Sequence, residues 1–341
     1  MKKSFYLVVF LAALNAAAAS VPAHFRPAWW SLGAHPQTIW AFLLRPYPDV
    51  PVHREQLAAP DGDFFDVDWM PGEAGAPVVI MVHGLGSSSE SKNMRTLMKA
   101  VHDKGWQGAA LNWRGALSPN KAPIMDNSGR TEDLAQLVRE VLSRYQAKEI
   151  YLVGYSAGGN KVLKYLGENP QAVPPEVKKA VAVSAPYDLE KSVDNLDKGL
   201  DKVLYTKRLL KALKARAAAK EKQFPGLIPV EKAEKAGTFR EYDRLVTAPL
   251  AGFMDEKEYY TAASCGNYLE KIDRPALLVH ARNDPFLHGG QLPLEKIKNS
   301  AFLHLMMTPD GGHLGFVTGF VPFRTGNWLE KTIVEFLGTD A

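Results

Sequence analysis

The chain has 341 residues, of which 46% are hydrophobic, 10% aromatic and 23% charged, and its formal net charge is +4. This is globular composition with enough length for a large core, and it excludes disordered, collagen-like and disulfide-scaffold classes. The single cysteine, Cys265, forms neither an intramolecular disulfide nor a cysteine-based zinc site, so no metal or other cofactor is expected.

Lys2 and Lys3 precede an apolar run over residues 5–14, and Ala16 to Ala19 then supply the small residues a signal peptidase needs. Residues 1–19 therefore read as a cleavable secretory signal ahead of a mature chain over residues 20–341. Export, to a periplasm, is the expectation; the alternative is an uncleaved segment anchored in the inner membrane. No cysteine follows the run, which excludes a lipoprotein.

Two short alternating runs, residues 53–58 and 64–69, flank Asp61-Gly62, both of which tolerate positive φ, so a β-hairpin opens the fold. Apolar runs at 78–82, 108–113, 150–153, 180–184, 276–280 and 302–306 read as buried strands. Helical stretches separate most of them. In one, Thr131 is an N-cap candidate and Leu134, Leu137, Val138, Val141 and Leu142 form an apolar stripe. Alternating strand and helix predict an α/β fold with a mostly parallel, eight-stranded sheet covered on both faces.

The alternation breaks over residues 186–272, which read as an inserted helical cap. Leu196, Leu200, Val203, Leu210, Leu213 and Ala217 keep a heptad-like face there. Residues 191–236 hold twelve Lys or Arg against six Asp or Glu. A solvated helix face is the plain account of this charge; peripheral contact with anionic lipid is the sharper one. No nucleic-acid motif accompanies it.

Gly154-Tyr155-Ser156-Ala157-Gly158 stands between a strand and a helix-compatible run, the context of a nucleophile elbow, where residues two before and two after the serine must be small. A serine hydroxyl needs an adjacent base, and that base needs an orienting acid. Asp284 follows the strand at 276–280 and is the candidate acid; Asp273 precedes that strand and Asp310 crowds the histidine loop. Of the histidines beyond Asp284, His288 is too close in sequence and His304 lies within a strand. His313, in Asp310-Gly311-Gly312-His313, is the candidate base. The amides of Ala157 and Leu85 are the candidate oxyanion donors, Leu85 within the loop His83-Gly84-Leu85-Gly86, with His83 holding that loop. Cys265 has no elbow around it and reads as a packing residue.

Beyond these, His35-Pro36-Gln37-Thr38, Pro60-Asp61-Gly62-Asp63, Asn112-Trp113-Arg114-Gly115, Ser184-Ala185-Pro186, Thr247-Ala248-Pro249, Gly252-Phe253 and Asn283-Asp284-Pro285-Phe286 occur in order. With the elbow and Gly311 to Phe316, they make the chain resemble the α/β-hydrolase superfamily, and within it the YheT-like branch, or AB hydrolase 4 family. The resemblance spans roughly residues 24–340. It implies Ser156, Asp284 and His313 as a charge-relay triad and an esterase-like activity on acyl esters. Two departures are the signal-like N-terminus and the longer Lys-rich cap. The expectation is a serine carboxylic ester hydrolase for short- to medium-chain acyl or lipid esters. Acyl transfer to an alcohol is the first alternative, and a non-catalytic acyl-lipid-binding protein the second.

Overall fold

The computed structural model describes residues 24–287 and 292–339. The signal segment at residues 1–19 and His288 lie outside the described residues.

The sheet has eight strands: β1 (His53–Ala58), β2 (Phe64–Met70), β3 (Val78–Val82), β4 (Gln107–Leu111), β5 (Ile150–Tyr155), β6 (Val177–Val183), β7 (Ala276–Ala281) and β8 (Leu303–Thr308), in the order β1-β2-β4-β3-β5-β6-β7-β8. Strands β3 to β8 run parallel, while β1 and β2 form the antiparallel hairpin, Ala58 opposite Phe64, with β2 antiparallel to β4. Gly62 takes φ 83° in the turn. The polar residues of β2 are buried too: Asp68 is held by Arg54 at 2.6 Å and by the Ser89 hydroxyl at 2.7 Å.

Successive residues of a strand face opposite sides, so each central strand feeds two cores. Val78, Ile80 and Val82 pack on one face with Leu134, Leu137, Val138 and Val141 of the helix at Glu132–Tyr145. Val79 and Met81 pack on the other with Met94, Leu97, Met98 and Val101 of the helix at Lys92–Asp103, and with Ile333 and Leu337 at the C-terminal end. Those helices follow α1 (Ala34–Leu44): α2 spans Lys92–Asp103, α3 Glu132–Tyr145 and α4 Ala157–Glu168. The α3 start differs from expectation. Thr131 does not cap it with its side chain but donates its hydroxyl to Glu168 on α4, so the residue ties two helices together.

Between β6 and β7 the chain is helical: α5 (Leu189–Leu196), α6 (Gly199–Asp201), a π turn (Lys202–Thr206), α7 (Lys207–Gln223), α8 (Val230–Lys235), α9 (Phe239–Tyr242), α10 (Ala248–Leu250) and α11 (Glu256–Ala263). These helices form a third apolar cluster around Leu210, Leu213, Tyr242 and Tyr260, and they roof the carboxyl ends of the strands. The heptad reading is corrected here. Leu196, Leu210, Leu213 and Ala217 are buried, but Leu200 and Val203 are 57% and 56% exposed. A π turn carries an i→i+5 bond and so inserts a residue relative to α-helical phase, which puts Tyr205 and Thr206 inward instead. Nor is every lysine solvated: Lys220 is buried, donating to the Asn120 side chain at 2.8 Å and to the carbonyls of Asn120 and Ala122 at 3.0 Å. No helix among the described residues is long and apolar enough to cross a membrane.

Candidate active site

Strand β5 lies mid-sheet and ends at Tyr155. Ser156 then turns the chain straight into α4 with φ 53° and ψ −123°, a region that side-chain-bearing residues rarely adopt. The turn closes because the residues two before and two after Ser156 have no side chains. A Cβ on Gly154 would lie 2.3 Å from the Gly158 carbonyl oxygen, and one on Gly158 would lie 2.3 Å from that of Val82. The Ser156 amide donates to Val183 O at 2.8 Å. Asn160, fully buried one turn into α4, donates to the carbonyls of Ser128 and Ala263 and accepts from the Cys265 amide, fixing the elbow to the layer above.

Asp284 follows β7 and is fully buried. Its Oδ2 and Oδ1 lie 2.9 and 3.1 Å from Nδ1 of His313, and His313 Nε2 lies 2.9 Å from Ser156 Oγ. A carboxylate against Nδ1 requires the proton there, which leaves the Nε2 lone pair facing the hydroxyl. The Phe286 ring stacks on the imidazole at 3.8 Å and 12°, and the Phe286 amide donates to Asp284 Oδ1 at 2.9 Å.

Distant residues hold the histidine loop. Gly311 and Gly312 have φ of 153° and 57°. The Gly312 amide donates to Asn283 Oδ1 at 3.0 Å, and Asn283 Nδ2 donates to Asp310 Oδ1 at 2.7 Å, so Asp310 supports the loop from behind. The His313 amide donates to Thr38 Oγ1 at 2.9 Å, and that hydroxyl donates in turn to Ala34 O at 2.7 Å. Gln37, fully buried, accepts from the Val317 amide at 2.6 Å and donates to Ser31 O, also at 2.6 Å. Sequence reasoning assigned no role to Thr38, Gln37 or Asn283, although each stood in a block that carried the family resemblance.

The loop His83-Gly84-Leu85-Gly86, which holds a candidate oxyanion donor, meets the elbow closely: a Cβ on Gly84 would sit 3.1 Å from Ser156 Cβ. Leu85 and Ala157 both line the cavity beside Ser156, and the Ala157 amide is the first of α4, one of the helix-start donors with no intrahelical partner. Burial pushes His83 down to about 3, so its ring is neutral. Nε2 accepts from the Trp113 amide at 3.1 Å, which leaves Nδ1 to donate to Gly84 O at 2.8 Å; His83 thus fixes the loop. Cys265 is buried, and burial raises its thiol far above the ordinary range, so it holds no ready thiolate. His304 sits half-buried on the edge strand β8. Among the described residues, no three His, Cys, Asp or Glu side chains converge as a metal centre would need.

Ser156 and His313 open on a cavity of about 1010 Å³. Its walls are mostly apolar, with the buried Leu189, Val193, Leu213, Phe239 and Val246 and the exposed Phe42, Leu43 and Tyr47 among them.

The family model described as "alpha/beta hydrolase fold" matches residues 77–320. The YheT protein of Escherichia coli, whose name carries the word esterase, is 33% identical over 326 residues, covering 94% of each chain. The chain belongs to the α/β-hydrolase family. Among further α/β-hydrolase relatives, a bovine protein named phospholipase ABHD3 is 26% identical and covers 88% of this chain and 77% of its own. A Saccharomyces cerevisiae monoacylglycerol lipase is 28% identical over 76% of this chain and 59% of its own. These are relatives of the YheT-like branch that the sequence blocks indicate. A solved Pyrococcus furiosus esterase shares the α/β-hydrolase fold with a TM-score of 0.55 at 18% identity, covering 85% of this chain and 90% of its own.

Proposed function

We propose that the protein is a serine carboxylic ester hydrolase for short- to medium-chain acyl or lipid esters. The observation that carries this reading is the hydrogen-bond chain from Asp284 through His313 to Ser156 at the base of a large apolar cavity. Ser156 Oγ attacks the ester carbonyl as His313 Nε2 takes its proton, and Asp284 keeps the imidazole oriented and stabilises its cation. The Leu85 and Ala157 amides receive the oxyanion. The protonated His313 hands its proton to the departing alcohol, leaving an acyl-enzyme, and water activated by the same base then frees the acid.

The volume, at the upper end of the roughly 300–1000 Å³ usual for ligand sites, suits an acyl chain. The relatives named as a monoacylglycerol lipase and a phospholipase favour glycerolipid esters over aryl or peptide substrates. In this reading residues 186–272 act as the cap that sizes the acyl site, and export with removal of residues 1–19 puts the enzyme in the periplasm, where its Lys-rich cap can meet anionic lipid. Hydrolysis of p-nitrophenyl esters of rising chain length tests the reading. Ser156→Ala should lower kcat by about a thousandfold or more. Equal turnover by both proteins would refute it, and transfer of the acyl group to added glycerol would move the second step from hydrolysis to acyl transfer.

A further inference from the structure

We propose that the cavity wall beside the oxyanion loop is a subsite for an anionic oxygen group, with Arg216 as its cation, so that the preferred esters carry a carboxylate or phosphate near the scissile carbonyl. This rests on the ester-hydrolase reading above.

Helix α7 turns Leu209, Leu213 and Arg216 toward the cavity, the i, i+4, i+7 spacing of one helical face. That face lies along the oxyanion loop: a Cβ on Gly86 would lie 3.6 Å from Leu209 Cδ2, and Arg216 Nη2 donates to Ser87 O at 3.3 Å. The Ser87 amide closes a turn on Gly84 O at 3.2 Å, and Gly84 abuts Ser156. The guanidinium is therefore one tight turn from the nucleophile.

What sets Arg216 apart is its lack of a counter-ion. Buried arginines elsewhere have carboxylate partners: Arg114 holds Asp133, Asp61 and Asp63, and Arg45 holds Glu330 at 3.1 Å. Among the described residues no carboxylate pairs with Arg216. Asp126, which also lines the cavity, gives its Oδ1 to the buried Lys161 at 2.8 Å; its charge favours the guanidinium from a distance but forms no ion pair with it. Asp243, which also lines the cavity, accepts from the hydroxyls of Tyr260 and Thr247. Burial already works against the Arg216 charge, yet a guanidinium stays protonated at any physiological pH. It has five N–H donors in a planar fork suited to a carboxylate or phosphate, and the protein supplies one carbonyl. A substrate anion would complete this set, and it would have to lie within a few bonds of the ester.

Two substrate pairs test the subsite and separate the sources of the anion: 1-decanoylglycerol 3-phosphate against 1-decanoylglycerol, and monomethyl against dimethyl glutarate. The wild-type kcat/KM ratio of anionic to neutral ester should exceed roughly tenfold in at least one pair, and that pair names the source. Arg216→Gln should cut that ratio by roughly 10- to 100-fold, chiefly through KM, and Arg216→Lys should restore part of it. A ratio unchanged in Arg216→Gln for both pairs would overturn the subsite while leaving the esterase reading intact. If Arg216→Gln no longer accepts a serine-directed phosphonate, Arg216→Met takes its place. If no ester is turned over at all, the esterase reading fails, and decyl phosphate binding decides the subsite alone. A tenfold weaker affinity in Ser156→Ala/Arg216→Gln than in Ser156→Ala would support it, and equal affinity would overturn it.

Discussion

The floor and the roof of the cavity are built on different principles. In the floor, backbone presses on backbone: Gly154, Gly158 and Gly84 are there because a methyl group at the first two would collide with carbonyls of the elbow and of β3, and at the third would crowd Ser156. In the roof, side chains press on side chains, with Leu210, Leu213, Tyr242 and Tyr260 closing a cluster whose helices are short and interrupted by π turns. The floor therefore has one solution at each position, whereas the roof can be refilled by other apolar side chains of similar volume. The position of Ser156 is rigidly set; the shape of the space above it is adjustable.

The two regions also answer pH with opposite signs. In the roof, burial pushes Asp243 up to about 6 from 3.8. The folded state then binds its proton more tightly than the unfolded chain, so the stability it contributes is complete below pH 3.8 and is lost as pH rises through 6. In the floor, His83 is pushed down to about 3 from 6.5, so its contribution is complete above pH 6.5 and is lost as pH falls toward 3.

The contrast breaks most severely at Gly158. A Gly158→Ala protein should lose about 3 kcal/mol or more, read as a lower urea midpoint, together with covalent labelling of Ser156; a wild-type midpoint would mean the floor can yield after all. A smaller effect tests the roof. Asp243→Asn removes a carboxylate costing about 3 kcal/mol at neutral pH, so its melting temperature should exceed wild type at pH 7.5 and the gain should shrink to about a third near pH 4.5. A gain equal at both pH values would contradict the buried-charge account. Smaller still, Thr38→Val withdraws the hydroxyl from the His313 amide, and kcat should fall about tenfold while the melting temperature moves by only a few degrees. A drop in KM or stability with kcat intact would make Thr38 a packing residue only. At the bottom of the scale, Leu200→Ser and Val203→Ser should each change unfolding free energy by less than about 0.5 kcal/mol, against about 2 kcal/mol or more for Leu213→Ala.

The same division governs what was legible in the sequence. The elbow could be read because its constraint is local: a strand, a serine and small residues two places either side. Asp284 and His313, which the structure brings into contact, could be singled out as candidates because chain order in this fold puts acid and base after later strands. Thr38 could not, since a threonine in the first helix acquires its role only when residue 313 is folded against it. Arg216 was hidden among lysines of a charged helix, and its inward direction depends on the phase of α7, which the π turn at Lys202–Thr206 shifts away from a continuous heptad. Thr131 likewise sat at a helix start but spends its hydroxyl on Glu168 of a neighbouring helix. Local sterics are written in neighbouring letters, and packing partners are not.

The hydrogen bond between His313 and Thr38 joins residues 275 positions apart. It bears on the order of events during synthesis. A growing chain that has released its serine and even its aspartate holds only an idle hydroxyl, because the base arrives among the last thirty residues and must then find a helix made near the beginning. Long-range closures of this kind come late in folding. In the proposed mechanism, catalysis therefore waits until the segment carrying His313 has docked on the first helix, and a truncated product that ends before residue 313 should release no acid.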